Sequence, residues 1–128
     1  MVNKIRFKSF EEIPVWRSSH KLTIEVYKIT KKFPAHEQYG LTSQLRRSSS
    51  SIAANIAEGF GKYTTKEFIK FLYNSRGSCV ETVYYILLAR DLEYVTDQEY
   101  LELRKKCDEI GKQLNGWMKS LKVKLVNH

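Results

Sequence analysis

The sequence is poor in residues that break or staple a chain. Two prolines (Pro14 and Pro34), six glycines and two cysteines occur in 128 residues. Proline and glycine this scarce, with no turn dipeptide between alternating strands, exclude a sheet built on tight hairpins. Cys79 and Cys107 are too few and too far apart for a disulfide framework, so the reading is a reduced, cytoplasmic protein. No apolar run approaches the roughly 20 residues of a membrane helix. The first thirty residues lack the apolar stretch of a signal peptide, and no membrane partner is expected. Histidine is scarce too: His20, His36 and His128 are dispersed, and no Glu is followed three residues later by His. The inward Glu-x-x-His pairs of di-iron bundles are therefore missing. Gly59-Phe60-Gly61-Lys62-Tyr63 fails as a phosphate loop, because the spacing is wrong and Tyr63 stands where Ser or Thr is needed. No catalytic residue, metal-ligand set or cofactor motif can be named, and the reading is a non-enzyme.

What is present is a basic, apolar-rich chain. Lys and Arg number 22 against 14 Asp and Glu, a formal charge of +8 with pI near 9.5, and 42% of residues are hydrophobic. That length fits one domain, and that apolar content is too high for a disordered chain. The surplus charge is uneven. Residues 1–64 hold 11 basic and 5 acidic residues, and residues 65–128 hold 11 and 9. A basic half is an electrostatic footprint for a polyanion, nucleic acid above all. Lys28, Lys31, Lys32, Arg46, Arg47 and Lys62 are the candidate contacts. Lys28, Lys31 and Lys32 would equally serve to solvate a helix end whose dipole favours cations.

Apolar spacing predicts four helices. The first runs from Pro14 to Phe33 on a stripe of Val15, Ser19, Leu22, Val26, Ile29 and Phe33, and Pro34 stops it. The second spans Leu41 to Phe60. The third opens on a capping box, Thr64 to Glu67, and carries Phe68, Leu72, Ser75, Cys79, Val83 and Ile86 to near Leu92. The fourth opens on a second box, Thr96 to Glu99, and bears Tyr100, Leu103, Cys107, Ile110, Leu114, Trp117 and Leu121 in steps of three and four. Such a seam packs at about 20°. Short links force neighbours antiparallel, so the expected fold is an all-α, up-down-up-down four-helix bundle over residues 14–122. Residues 1–13 and 123–128 are expected to be flexible tails.

The second helix is unusual in its small residues, Ser48-Ser49-Ser50-Ser51-Ile52-Ala53-Ala54. Serine hydroxyls compete for backbone groups and weaken a helix. Small side chains do allow close helix approach, either within the bundle or against another subunit. Gly77 costs the third helix about 1 kcal/mol relative to Ala, so a close contact is expected there also.

Tyr39-Gly40-Leu41, Gln44-Leu45-Arg46-Arg47, Ser51-Ile52 and Asn55-Ile56-Ala57-Glu58-Gly59 resemble the signature of the 23S rRNA-intervening-sequence protein family, small bacterial four-helix bundle proteins. Gly77-Ser78 with Glu81 is similar to that family's second motif, and Trp16 and Phe33-Pro34 also fit. The resemblance covers about residues 10–122. Ser48, Ser49 and Ser50 depart from it, standing where the family usually has Ala, Ala and Val. The resemblance implies a ring-like homopentamer and a kinship with the accessory proteins of diversity-generating retroelements, which work with nucleic acid and a reverse transcriptase. It supplies no catalytic residue. The expected partners are other copies of the chain and nucleic acid, structured RNA in the first place, bound through the basic surface. The alternative is a scaffold that docks a protein such as a reverse-transcriptase-like enzyme. Gln44, Ser51, Asn55, Glu58, Gly59, Gly77, Ser78 and Glu81 are signature positions with structural or interface roles. Arg46 and Arg47 stay open between a register-fixing ion pair and a phosphate contact.

Overall fold

The computed structural model describes residues 6–126, and all regular structure among them is helical. Four long helices run as α1 (Pro14–Thr30), α2 (Leu41–Phe60), α3 (Thr65–Asp91) and α4 (Asp97–Val126), with 3-10 turns at Phe10–Glu12 and Ala35–Glu37. Helix α1 packs on α2, α2 on α3, α3 on α4, and α4 returns to α1. The result is the expected four-helix bundle. At 1.5 Å per residue, the 30 residues of α4 span about 45 Å, so the bundle is elongated.

Helix starts follow side-chain chemistry. The Thr64 hydroxyl accepts the N–H of Glu67 at 3.1 Å, opening α3. The box at α4 is reciprocal: Glu99 N–H donates to the Thr96 hydroxyl at 3.1 Å and Thr96 N–H to the Glu99 carboxylate at 2.9 Å. Helix α2 starts differently, because Gly40 at its N-cap has no side chain to offer. Glu37 takes that role, accepting the Leu41 N–H at 3.1 Å and the Tyr94 hydroxyl at 2.9 Å. These two bonds hold the Glu37 carboxyl below its ordinary value. They also join the α1–α2 link to the α3–α4 link.

The core is Leu22, Val26, Leu45, Ile52, Ile56, Leu72, Ile86, Ile110, Leu114 and Leu121, all buried. Three expected stripe positions shift by one residue. Thr30 replaces Ile29, Thr82 replaces Val83 and Met118 replaces Trp117, the displaced residues being half-buried at the edge of the core. Helix α1 also ends at Thr30 and not at Phe33; the last turn tightens, with Phe33 N–H bonding the Thr30 carbonyl at 3.1 Å. Of the tail expected over residues 1–13, residues 1–5 lie outside the described residues. Residues 6–13 lie against the bundle, with Ile13 buried, Phe10 edge-on to Trp16 and Phe7 edge-on to Trp117. At the other terminus residues 123–126 continue α4, and residues 127–128 lie outside the description.

The serine run packs inward. Ser48 and Ser49 are fully buried and let α2 approach both neighbours. The Thr23 hydroxyl on α1 lies 3.2 Å from the Ser49 carbonyl. On the α3 side the Thr82 and Ser48 hydroxyls lie 3.0 Å apart, and Ser75 donates to the Ile52 carbonyl at 2.8 Å. Each of these hydroxyls therefore has a partner, which offsets the desolvation cost that polar core groups otherwise carry. The small residues thus serve contacts within the bundle. Gly59 does so most tightly: a Cβ there would stand 2.6 Å from Phe71 Cβ and 2.9 Å from Phe68 Cδ1. Gly77 does not, since a Cβ there would meet nothing within 4 Å. The close contact expected at Gly77 is absent within this chain.

Candidate nucleic-acid interface

The signature residues gather around α2. Arg46 Nε donates to the Thr30 hydroxyl at 2.8 Å and its Nη2 to the Tyr27 carbonyl at 3.4 Å, with the guanidinium 4.6 Å from the Tyr27 ring centroid. It therefore satisfies a carbonyl near the α1 C-terminus, which no intrahelical N–H can reach. Arg47 points the other way. Its Nη2 lies 2.7 Å from Glu81 Oε2 on α3 and its Nε 3.2 Å from Gln44 Oε1. Tyr85 completes this cluster, its hydroxyl 3.4 Å from the same Glu81 oxygen. Glu81 holds the Arg47 guanidinium firmly protonated, above its ordinary value. The pair is half exposed, so its contribution to stability is small, about 0–1 kcal/mol. Three separated signature positions, Gln44, Arg47 and Glu81, thus form one polar clasp between α2 and α3. The sequence marks Tyr85 only as an aromatic that could stack on a base or join a core or interface; its place four residues after Glu81 puts it on the same helix face.

The remaining signature residues divide. Asn55 Nδ2 donates to the Ser51 carbonyl at 2.8 Å, and the Ser78 carbonyl accepts the Thr82 hydroxyl at 2.8 Å. Glu58 is exposed and Gly77 faces outward beside it in exposure, though on α3. Catalytic chemistry finds no constellation among the described residues. His20 stacks on Trp16 at 4.9 Å, His36 sits in the second 3-10 turn, and His128 lies outside the description. Among the described residues no group of three His, Cys, Asp or Glu side chains stands ready for a metal. Cys79 and Cys107 are free and buried, with Cys79 Sγ 3.2 Å from the Cys107 carbonyl. No described helix is long and apolar enough to cross a membrane.

The six candidate cations do not form one patch. Lys28, Lys31, Lys32 and Arg46 share the end of the bundle where α1 finishes and α2 begins. Lys32 pairs there with Glu99, while Lys28 and Lys31 are exposed. Lys62 sits at the opposite end of α2, about 30 Å away along a 20-residue helix, with its ammonium 5.1 Å from the Phe71 ring centroid.

Antiparallel folding redistributes charge in a way that halves of the sequence do not show. The Thr23–Ser49 and Cys79–Cys107 hydrogen bonds mark one level across the bundle. On one side lie residues 6–23, 50–78 and 108–126, with 12 Lys or Arg against 6 Asp or Glu. On the other lie residues 24–49 and 79–107, with 9 against 8. The first pole carries +6 and the second +1. Asp91, Glu93, Asp97, Glu99 and Glu102 place their charge at the same end as Lys28, Lys31 and Lys32.

Comparison with known proteins agrees with this architecture. No curated protein matches the chain. Among solved structures, a protein of unknown function from the S23 ribosomal protein family of Bacteroides thetaiotaomicron is similar, at 27% identity and a TM-score of 0.74. The alignment covers 82% of this chain and 98% of that one. Residues 11–116 match the 23S rRNA-intervening sequence protein family, and they contain the Gln44–Arg47–Glu81 clasp, the buried serines and Gly59. The chain belongs to the 23S rRNA-intervening sequence protein family.

Proposed function

We propose that the protein is a non-enzymatic homo-oligomer that binds nucleic acid, structured RNA in the first place, through a basic surface. The observation that carries this reading is the polarised charge, +6 on one half of an elongated bundle against +1 on the other. A field of one sign attracts a phosphate backbone without reading its sequence, and its strength falls with salt. Self-association multiplies that field. Helix α3 offers a face for it: Val80 and Tyr84 are 65% and 56% exposed, and Gly77, one turn before Val80 with nothing within 4 Å of where a Cβ would stand, leaves room for a close approach. A ring of five, related to the retroelement accessory proteins, is the assembly that the sequence resemblance favours.

Purification without nuclease tests the reading. RNA that co-elutes with the protein, resists washing at about 50 mM salt and is released at high salt is the expected result. A preparation free of nucleic acid, together with a protein captured from nuclease-treated lysate, would overturn it in favour of a scaffold for a reverse-transcriptase-like partner.

A further inference from the structure

The basic pole contains a groove of about 520 Å³ between α3 and α4, with Tyr73 and Arg76 of α3 facing Asn115, Lys119 and Lys122 of α4. No carboxylate lines it. Three cations line it together with the buried Met118 and the exposed Val123 and Val126, and Tyr73 is 38% exposed beside them. Arg76 and Lys122 both rest on that ring, their charged groups 5.3 and 4.4 Å from its centroid. Lys122 also contacts the Tyr73 hydroxyl, and Arg76 reaches across to Asn115 at 3.0 Å. Acidic residues are absent from α4 beyond Glu109, while Lys112, Lys119, Lys122 and Lys124 follow it.

Cations in a row beside an exposed aromatic ring are the elements by which proteins hold single-stranded nucleic acid. We infer that this groove is the RNA-contacting surface, and that it takes an unpaired segment of the chain, with phosphates on Arg76, Lys119 and Lys122 and a base on Tyr73. The inference rests on the nucleic-acid reading above and moves its contact away from Lys28, Lys31 and Lys32. In the free protein the aromatic ring shares its face with two cations. A phosphodiester chain draws both toward phosphate oxygens and frees the ring for stacking. Arginine's planar fork suits the phosphate, and the lysines add point charge.

The test uses a fluorescein-labelled 15-nucleotide oligouridylate at about 50 mM salt, with folded 23S rRNA fragments in parallel. The triple variant Arg76→Ala, Lys119→Ala and Lys122→Ala is expected to weaken oligouridylate binding by at least about tenfold. It is also expected to make the salt dependence shallower by about 2, since each lost phosphate contact removes about 0.7 from the slope. Tyr73→Leu is expected to cost about 5- to 100-fold in affinity with the slope unchanged, the signature of a lost stacking platform. Lys119→Arg with Lys122→Arg keeps binding. Lys28→Ala with Lys31→Ala and Lys32→Ala changes it less than about twofold. The groove is overturned if the triple variant binds as wild type does, or if the Lys28, Lys31 and Lys32 variant is the one that fails. It is overturned as well if folded fragments bind and the oligouridylate does not, or if a polyglutamate peptide displaces the oligouridylate at lower charge concentration. Failure of the wild-type protein to bind any of these RNAs overturns the parent reading instead.

Discussion

Gly59 shows how a single position can be fixed by its neighbours. Its missing side chain lets Phe71 and Phe68 of α3 lie against α2, where a Cβ would stand 2.6 and 2.9 Å from them. Gly59→Ala must therefore push α3 away or force the rings off their rotamers. Overpacking of this kind costs about 1–3 kcal/mol, and a denaturant melt should show the loss with an unchanged helical spectrum. The motif around Gly59 was visible in the sequence, but the reason for the glycine was not, since Phe68 and Phe71 lie across a turn. Residue-level errors elsewhere have one cause. Thr30, Thr82 and Met118 took positions that spacing assigned to Ile29, Val83 and Trp117. Steps of three and four leave the stripe ambiguous by one residue, and a threonine can be buried when its hydroxyl bonds the carbonyl four residues back. Thr30 does so to Val26 at 2.7 Å and Thr82 to Ser78 at 2.8 Å.

Helix α3 keeps apolar side chains on its outer as well as its inner side. Its inner stripe packs on α2 and α4, yet Val80 and Tyr84 are exposed on its outer side. Gly77 sits among them with open space where a Cβ would go. Within one chain, replacing it by alanine removes a helix-weakening glycine without a clash. Gly77→Ala should stabilise the protomer by up to about 1 kcal/mol. If the α3 face joins subunits, the same change should shift sedimentation toward the 15.1 kDa monomer. Stabilisation with an unchanged assembly would separate Gly77 from the interface. At this scale the sequence was largely legible: both capping boxes, the Pro14 start of α1 and most of the fourth-helix seam lie in local patterns, whereas α1 ends at Thr30, short of the stop expected at Pro34. The start of α2 at Leu41 was legible as well, but its cap was not, because the cap comes from Glu37 in a preceding turn and is shared with Tyr94, 57 residues away.

Charge is the property that changes most between the chain and the folded molecule. Counted along the sequence, the surplus sits in residues 1–64 and points to Lys28, Lys31 and Lys32. Folded, those lysines share an end with five carboxylates from the α3–α4 region, and the excess collects at the opposite pole. No local pattern carries that information, since it depends on which helix ends the antiparallel turns bring together. Arg46 illustrates the same point: its sequence context suits a phosphate, but two of its donors already serve Thr30 and Tyr27. The clasp of Gln44, Arg47 and Glu81 likewise became visible only when α2 met α3.

A polarised basic bundle should associate with a polyanion. Fluorescence anisotropy of labelled 23S rRNA fragments between about 50 and 300 mM salt tests it directly. The predicted result is binding whose log affinity falls linearly with log salt, steeply enough to require several phosphate contacts at about 0.7–0.9 each. No binding at about 50 mM salt, or an affinity indifferent to salt, would contradict it.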